Sequence, residues 1–222
     1  MILLNGPNTP FGRMALATAQ ELGVDVENKI INVFEAEFLD EINPLRQIPT
    51  LLLDDGSMLC DSRVICSYFC SLRPGRGLNP VDERWEVQTR WSLALGLMEA
   101  SVGRVMELLR PESQRSAPFV EKCDRQIRNV LVKLETFSSD ICTSDARIDR
   151  LATAIALEYI DFRIRSDWRL WAPALARWLE AETNRPSLVV SRPRERQASD
   201  PATLDLRLTN STPDDTIRHS VT

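Results

Sequence analysis

The dipeptide Ile48-Pro49 stands directly before the apolar run Thr50-Leu51-Leu52-Leu53, and this junction constrains the fold more than any other feature of the chain. Proline cannot donate to a β-ladder, so it belongs at a strand's first residue or on an edge. A proline held there, often with a cis bond, leaves the preceding backbone open to a ligand. The run turns at Asp54-Asp55-Gly56 and returns as Ser57-Met58-Leu59-Cys60, a strong hairpin signal. Asp61-Ser62-Arg63-Val64-Ile65, beginning twelve residues after Pro49, then opens a helix. Free N–H groups at a helix start attract carboxylates.

The segments around this junction define an order of elements. Residues 2–6 read as a strand that begins at once, without the basic start and long apolar core of a signal peptide. Thr9-Pro10 opens a first helix, whose buried face is marked by Phe11, Met14, Ala15, Thr18, Ala19 and Leu22. Gly23 closes it. Residues 26–33 form a second strand, Phe34 to Ile42 a short acidic helix, and Ser62 to Leu72 a third helix stopped before Pro74. The order βαβα then ββα is thioredoxin-like, with two parallel strands followed by an antiparallel hairpin.

A linker rich in Pro and Gly, from Arg73-Pro74-Gly75-Arg76-Gly77 to Asn79-Pro80, follows. Beyond it the spacing predicts only helices. Val87, Trp91, Leu95, Met98, Val102, Val105 and Leu109 place one long helix over 83–110. Phe119, Cys123, Ile127, Val130, Leu134 and Phe137 mark the next; Leu151 to Ile164 reads as a buried central helix and Leu170 to Thr183 as the last. The expected division is an α/β domain over 1–75, a linker over 76–82, an all-α domain over 83–192 and a polar, disordered tail over 193–222.

Composition narrows the function classes. The net charge of -5 argues against a general nucleic-acid binder, and no apolar run approaches the ~18 residues of a membrane span. The only histidine, His219, lies in the polar tail, so neither a His-containing metal site nor a catalytic dyad is expected. Five cysteines without a Cys-x-x-Cys pair fit a reducing cytoplasm; Cys66 and Cys70, on one helix face, read as small buried groups.

Thr9-Pro10-Phe11, Asn43-Pro44-Leu45-Arg46-Gln47-Ile48-Pro49 and Asp61-Ser62-Arg63-Val64-Ile65, in this order and spacing, resemble the bacterial glutathione S-transferases of the serine/cysteine type. Tyr159-Ile160-Asp161-Phe162-Arg163 and Arg185-Pro186-Ser187 also look like this family, and the likeness covers about residues 1–192. The resemblance implies a homodimeric cytoplasmic enzyme that joins the thiolate of glutathione, its cosubstrate, to a small hydrophobic electrophile, without a metal. It implies Thr9 as the catalytic group, and Gln47, Ile48, Pro49, Asp61 and Ser62 as glutathione contacts. Phe11, Trp91, Met98 and Arg104 are expected in the second-substrate pocket. The alternatives are a non-catalytic binding module on the same fold, or a glutathione-dependent isomerase, thiol reductase or ether-cleaving enzyme; a reductase with its own cysteine is disfavoured because position 9 is Thr.

The chemistry of glutathione matches these groups. Its γ-glutamyl carboxylate suits the helix start at Ser62, its ammonium suits Asp61, and its extended cysteinyl part suits the backbone of Ile48 as an added strand. Gln47 is placed for the glycyl end. A thiol of pKa ~8.5 needs a hydroxyl and a helix N-terminus to become a thiolate at neutral pH, and Thr9 offers both; Asn5 and Asn8 are the other candidate donors. The alternative reading of Asp61-Ser62 and of Thr9 is as plain helix caps. The chain departs from the family at Arg46-Gln47, where Gly-Lys is usual, and at Arg147 and Arg150, which replace a Ser/Thr-x-x-Asp box; Asp149 is the substitute cap.

Overall fold

A computed structural model describes residues 1–75, 78, 84–164 and 167–194. The expected linker over 76–82, apart from Leu78, and the tail beyond 194 lie outside the described residues. The first half holds β1 (Ile2–Asn5), α1 (Pro10–Leu22), β2 (Glu27–Ile30), α2 (Leu39–Ile42), β3 (Thr50–Leu52), β4 (Met58–Leu59) and α3 (Ser62–Leu72). The sheet order is β2-β1-β3-β4, with β1 parallel to β2 and both other pairings antiparallel. The thioredoxin-like expectation therefore stands. Helices follow: α4 (Arg84–Leu109), α5 (Ala117–Glu135), α6 (Ser138–Ile141), α7 (Ile148–Arg163), α8 (Pro173–Glu182) and α9 (Pro186–Val190).

Differences from the expected elements have local causes. The helix expected over Phe34 to Ile42 shrinks to its last turn, because the Asn32 side chain accepts from the Phe34 N–H and its carbonyl accepts from Glu35 and Ala36. That pattern makes turns rather than a continuing helix. The helix expected from Leu170 begins at Pro173 instead, where the ring suits the first helical position. Helix α9, also opened by Pro, is too short to show a periodic stripe.

Alternation along β1 explains the layers. Leu3 and Leu51 face the main core, and Leu4 faces a smaller cluster with Ile31, Ala36 and Leu39. The main core runs without a break from the sheet through Met14 and Phe69 to Trp91, Leu151 and Trp168. Helix α1 lies at the centre. A Cβ on Gly12 would fall 1.6 Å from Asn5 Oδ1, so only glycine lets α1 settle on β1. One residue on, Arg13 is 5 % exposed and pairs with Glu158 of α7, donates to the Leu188 carbonyl at 3.0 Å and reaches Ser191 Oγ at 3.3 Å. Glu158 also accepts from the Thr183 hydroxyl.

The missing Ser/Thr-x-x-Asp box is replaced by a buried ion cluster. Asp149 is fully buried; it accepts from Arg90 Nε of α4 at 2.6 Å, from Arg147 Nε at 2.7 Å and from the Arg150 N–H at 3.1 Å. Asp149 is not the expected cap: Arg147 occupies the N-cap position of α7 without a side-chain capping bond, and Asp149, inside the first turn, serves as the shared counter-charge instead. Arg150 and Arg147 both donate to the Asp140 carbonyl, at 2.7 Å and 3.1 Å, which ties α6 in as well. Among the described residues no helix is long and apolar enough to cross a membrane. Replacing Asp149 by Ala leaves two buried guanidinium groups without their shared counter-charge, and urea unfolding is expected to show a loss of about 3–5 kcal/mol. A loss under about 1 kcal/mol would mean that the cluster contributes little to stability.

Candidate functional site

A cavity of about 1130 Å³ lies between the sheet domain and helices α4 and α7. Its first wall joins the end of β1, the start of α1, the loop before β3 and the start of α3; its second joins α4 to the end of α7. Thr9, Phe11, Gln47, Ile48, Pro49, Asp61 and Ser62, far apart in sequence, all line it.

The loop before β3 is held from inside. Asn43 is fully buried and its amide donates to the Gln47 carbonyl at 3.1 Å and to Thr50 Oγ1 at 2.9 Å, while its oxygen accepts from the Leu45 N–H. The Thr50 hydroxyl donates to the same Gln47 carbonyl at 2.8 Å. The Ile48-Pro49 bond is cis. The Ile48 N–H and C=O make no backbone hydrogen bond among the described residues, so this piece of chain faces the cavity unpaired. Arg46 has φ 50, a left-handed conformation. That accounts for the family's glycine here, and for a non-glycine residue it costs roughly 1–2 kcal/mol. Arg46 faces Asp40 at 3.6 Å.

At the start of α3 the Asp61 Oδ1 accepts from the Arg63 N–H at 2.9 Å and from the Val64 N–H at 3.4 Å. Asp61 is thus an N-cap with that oxygen, and its other oxygen makes no hydrogen bond among the described residues. Ser62, 4 % exposed, is the first helical residue. Arg63 extends over the Trp91 ring, 5.6 Å from its centre, and reaches Ser92 Oγ of α4 at 3.4 Å.

Thr9 occupies the N-cap position of α1 with extended φ and ψ, yet its hydroxyl makes no capping bond. The plain-cap reading of this side chain therefore fails. Asn5 is buried and its side chain is taken up by the Gly6 N–H at 2.8 Å and Asn28 at 3.2 Å, so it is not on the cavity wall. Asn8 is on the wall, with its Oδ1 accepting from the Arg194 N–H. A Cβ on Gly6 would come within 2.8 Å of Ile48 Cδ1, so glycine permits the close approach of the two cavity loops.

On the second wall three of the four expected residues are elsewhere. Trp91 and Met98 are buried in the core, and Arg104 pairs with Asp124 of α5 at 2.5 Å. The cavity stripe of α4 is Leu95, Glu99, Val102 and Met106, joined by Tyr159 and Arg163 from α7. At 3.6 residues per turn, Trp91 and Met98 fall roughly 50–70° to one side of that stripe and Arg104 nearly opposite. Leu95 and Val102 were visible in the apolar spacing. Tyr159 and Arg163 stood in a motif whose spacing of four puts both on one face.

Three of the cysteines are poor nucleophiles because burial disfavours their thiolates. Burial pushes the Cys66 thiol up to about 12 and the Cys70 and Cys142 thiols up to about 11, and all five are free. Among the described residues no group of three or more His, Cys, Asp or Glu side chains could hold a metal ion.

Comparison with known proteins agrees with this layout. Residues 3–77 match the glutathione S-transferase N-terminal domain. The structure of a glutathione transferase family member from Pseudomonas fluorescens Pf-5, with bound glutathione, is 32% identical with a TM-score of 0.81, covering 87% of this chain and 99% of that one. A glutathione S-transferase from Methylobacillus flagellatus KT with glutathione bound is 29% identical with a TM-score of 0.80, again covering 87% and 99%. Over 199 residues the chain is 27% identical to the Uncharacterized GST-like protein YibF of Escherichia coli K12, covering 87% of this chain and 98% of that protein. With the cis-Pro loop, the α3 start and the helical half all in place, the chain belongs to the glutathione transferase family.

Proposed function

We propose that the protein binds glutathione against the first wall of the cavity and joins its thiolate to a small hydrophobic electrophile held by the second. The observation that carries this reading is the division of one cavity into two chemistries. Unpaired backbone at Ile48, a helix start at Ser62 and an acidic oxygen at Asp61 lie on one side. Leu95, Val102 and Met106 lie on the other, with Glu99, Tyr159 and Arg163 beside them, and Phe11 borders it from the start of α1. Relatives solved with glutathione bound support the first half.

In this reading the γ-glutamyl carboxylate accepts from the Ser62 hydroxyl and the N–H groups of the α3 start. The free Asp61 oxygen faces the ammonium. The cysteinyl part pairs with Ile48 as an added strand, and Gln47 with Arg46 borders the glycyl end. The sulfur then lies near Thr9, whose hydroxyl, not used as a cap, donates to it. A thiolate beside a hydroxyl donor and the α1 N-terminus is stabilised relative to the thiol. The sulfur lone pair forms the new C–S bond as the electrophile gives up its leaving group or shifts a π pair. Residues 1–75 serve as the glutathione domain and 83–192 as the helical domain of a cytoplasmic homodimer.

Two measurements check the reading. Ser62→Ala should weaken glutathione binding by about 1–3 kcal/mol, the cost of unpairing a charged acceptor; calorimetry showing unchanged affinity with the fold intact counts against the placement. Thr9→Val should raise the pKa of the bound thiol and slow turnover while glutathione stays bound, whereas Thr9→Ser should keep or improve activity. Because the Thr9 hydroxyl makes no capping bond, the Val change should move stability by less than about 0.5 kcal/mol. The thiolate's ultraviolet absorbance against pH reads the pKa, and equal values in wild type and Val would move the donor to Asn8 or a backbone N–H. Glutathione binding with no turnover of any electrophile would favour the binding-module alternative.

A further inference from the structure

Glu99 is a charge on the second wall that the glutathione reading does not use. It is exposed and stands in the cavity stripe of α4, four residues after Leu95 and three before Val102. The other charged side chains that line the cavity are engaged. Arg46 faces Asp40 at 3.6 Å, Arg63 lies over the Trp91 ring at 5.6 Å, and Arg163 lies over the Phe162 ring at 4.2 Å. Asp61 caps α3 with one oxygen, and in the glutathione reading its other oxygen faces the ammonium. Glu99 makes no hydrogen bond or ion pair with any described residue. Residues three and four apart on a helix are surface neighbours, so a ligand lying against both Leu95 and Val102 also covers the carboxylate between them. Covering it strips water from a charge, which is costly unless the ligand brings an opposite charge. A wholly apolar ligand brings none. A ligand that fits has an apolar body and a positive charge on its α4 side.

We propose that Glu99 selects the second substrate, and that the preferred electrophiles are apolar compounds carrying a cationic nitrogen, such as an ammonium or a quaternary anilinium group. This rests on the reading of the cavity as a glutathione site. The apolar body lies on Leu95, Val102 and Met106, and the cation meets the Glu99 carboxylate. Water leaves both charges together, so each offsets the desolvation of the other. In a benzylic chloride of this kind the sulfur lone pair forms the C–S bond at the benzylic carbon. The C–Cl pair leaves with chloride, and the proton that the thiol released passes to solvent. The cationic group takes no part in these bond changes; it decides which molecules are held. Glu99 is therefore a specificity residue and not a catalytic one. A substrate with a carboxylate in the same place meets like charge at Glu99 and is disfavoured.

The test compares two glutathione conjugates of matched shape, so that its first arm needs no turnover. S-[4-(trimethylammonio)benzyl]glutathione and S-(4-tert-butylbenzyl)glutathione differ by nitrogen in place of carbon and by the charge that follows. Calorimetry on wild type should show the cationic conjugate binding about threefold to tenfold more tightly, the effect of one partly screened charge pair. The advantage should shrink as salt is raised. In Glu99→Gln the two conjugates should bind within about twofold of each other. In the second arm, the kcat/KM ratio of the cationic to the tert-butyl benzylic chloride should fall by about threefold to tenfold in Glu99→Gln. No preference in wild type, an equal preference in wild type and variant, or tighter binding of S-(4-carboxybenzyl)glutathione than of the cationic conjugate overturns the inference and leaves the glutathione reading standing. Failure of wild type to bind glutathione at all overturns both.

Discussion

The site depends on how α1 is fixed. Its first residues border the cavity, its second turn rests on β1 through Gly12, and Arg13 is buried against Glu158 of α7. The same guanidinium holds the Leu188 carbonyl, and Glu21 near the helix end accepts from the Ser187 hydroxyl at 2.5 Å. One helix therefore sets the spacing between the sheet domain and the helical domain, and with it the distance across the cavity. Removing either charge of the Arg13–Glu158 pair leaves the other buried without its partner, so the two halves of the site are coupled energetically as well as in space.

The walls are built by different means. The first wall uses backbone: a loop shaped by buried Asn43, an unpaired Ile48, and helix starts at Pro10 and Ser62. These features depend on chain path more than on particular side chains. The second wall uses side chains on the faces of α4 and α7, where single replacements change polarity without moving the helices. In the proposed reading the first wall takes the constant cosubstrate and the second a chain-specific partner. The buried cluster of Arg90, Asp149 and Arg147 holds α7 to α4 and so keeps the second wall in register.

Much of the first wall was legible because its signals are local. Thr-Pro before a periodic run, Ile-Pro before a strand, Asp-Asp-Gly between strands and Asp-Ser before a helix each state a backbone geometry. Arg46 was legible as a departure, and its positive φ gives the physical reason that glycine is usual there. The second wall was less legible. Helix α4 contacts the core on a broad face, so the apolar spacing that placed the helix also drew Trp91 and Met98 into the pocket, and only tertiary packing shows which edge of the stripe meets the cavity. Tyr159 and Arg163 carried no signal of access to the cavity, since α7 reads as buried almost all round. Asn32 ended the expected acidic helix through a side-chain bond that periodicity does not register.

The central claim is that glutathione lies along the first wall with its sulfur at Thr9. A crystal structure of the chain grown with glutathione tests it most directly. The account predicts the γ-glutamyl carboxylate at the Ser62 N–H and hydroxyl, main-chain pairing of the cysteinyl part with Ile48, and the sulfur within hydrogen-bond reach of the Thr9 hydroxyl. Glutathione bound outside this cavity, or bound in it with the sulfur turned away from the start of α1, would contradict the account.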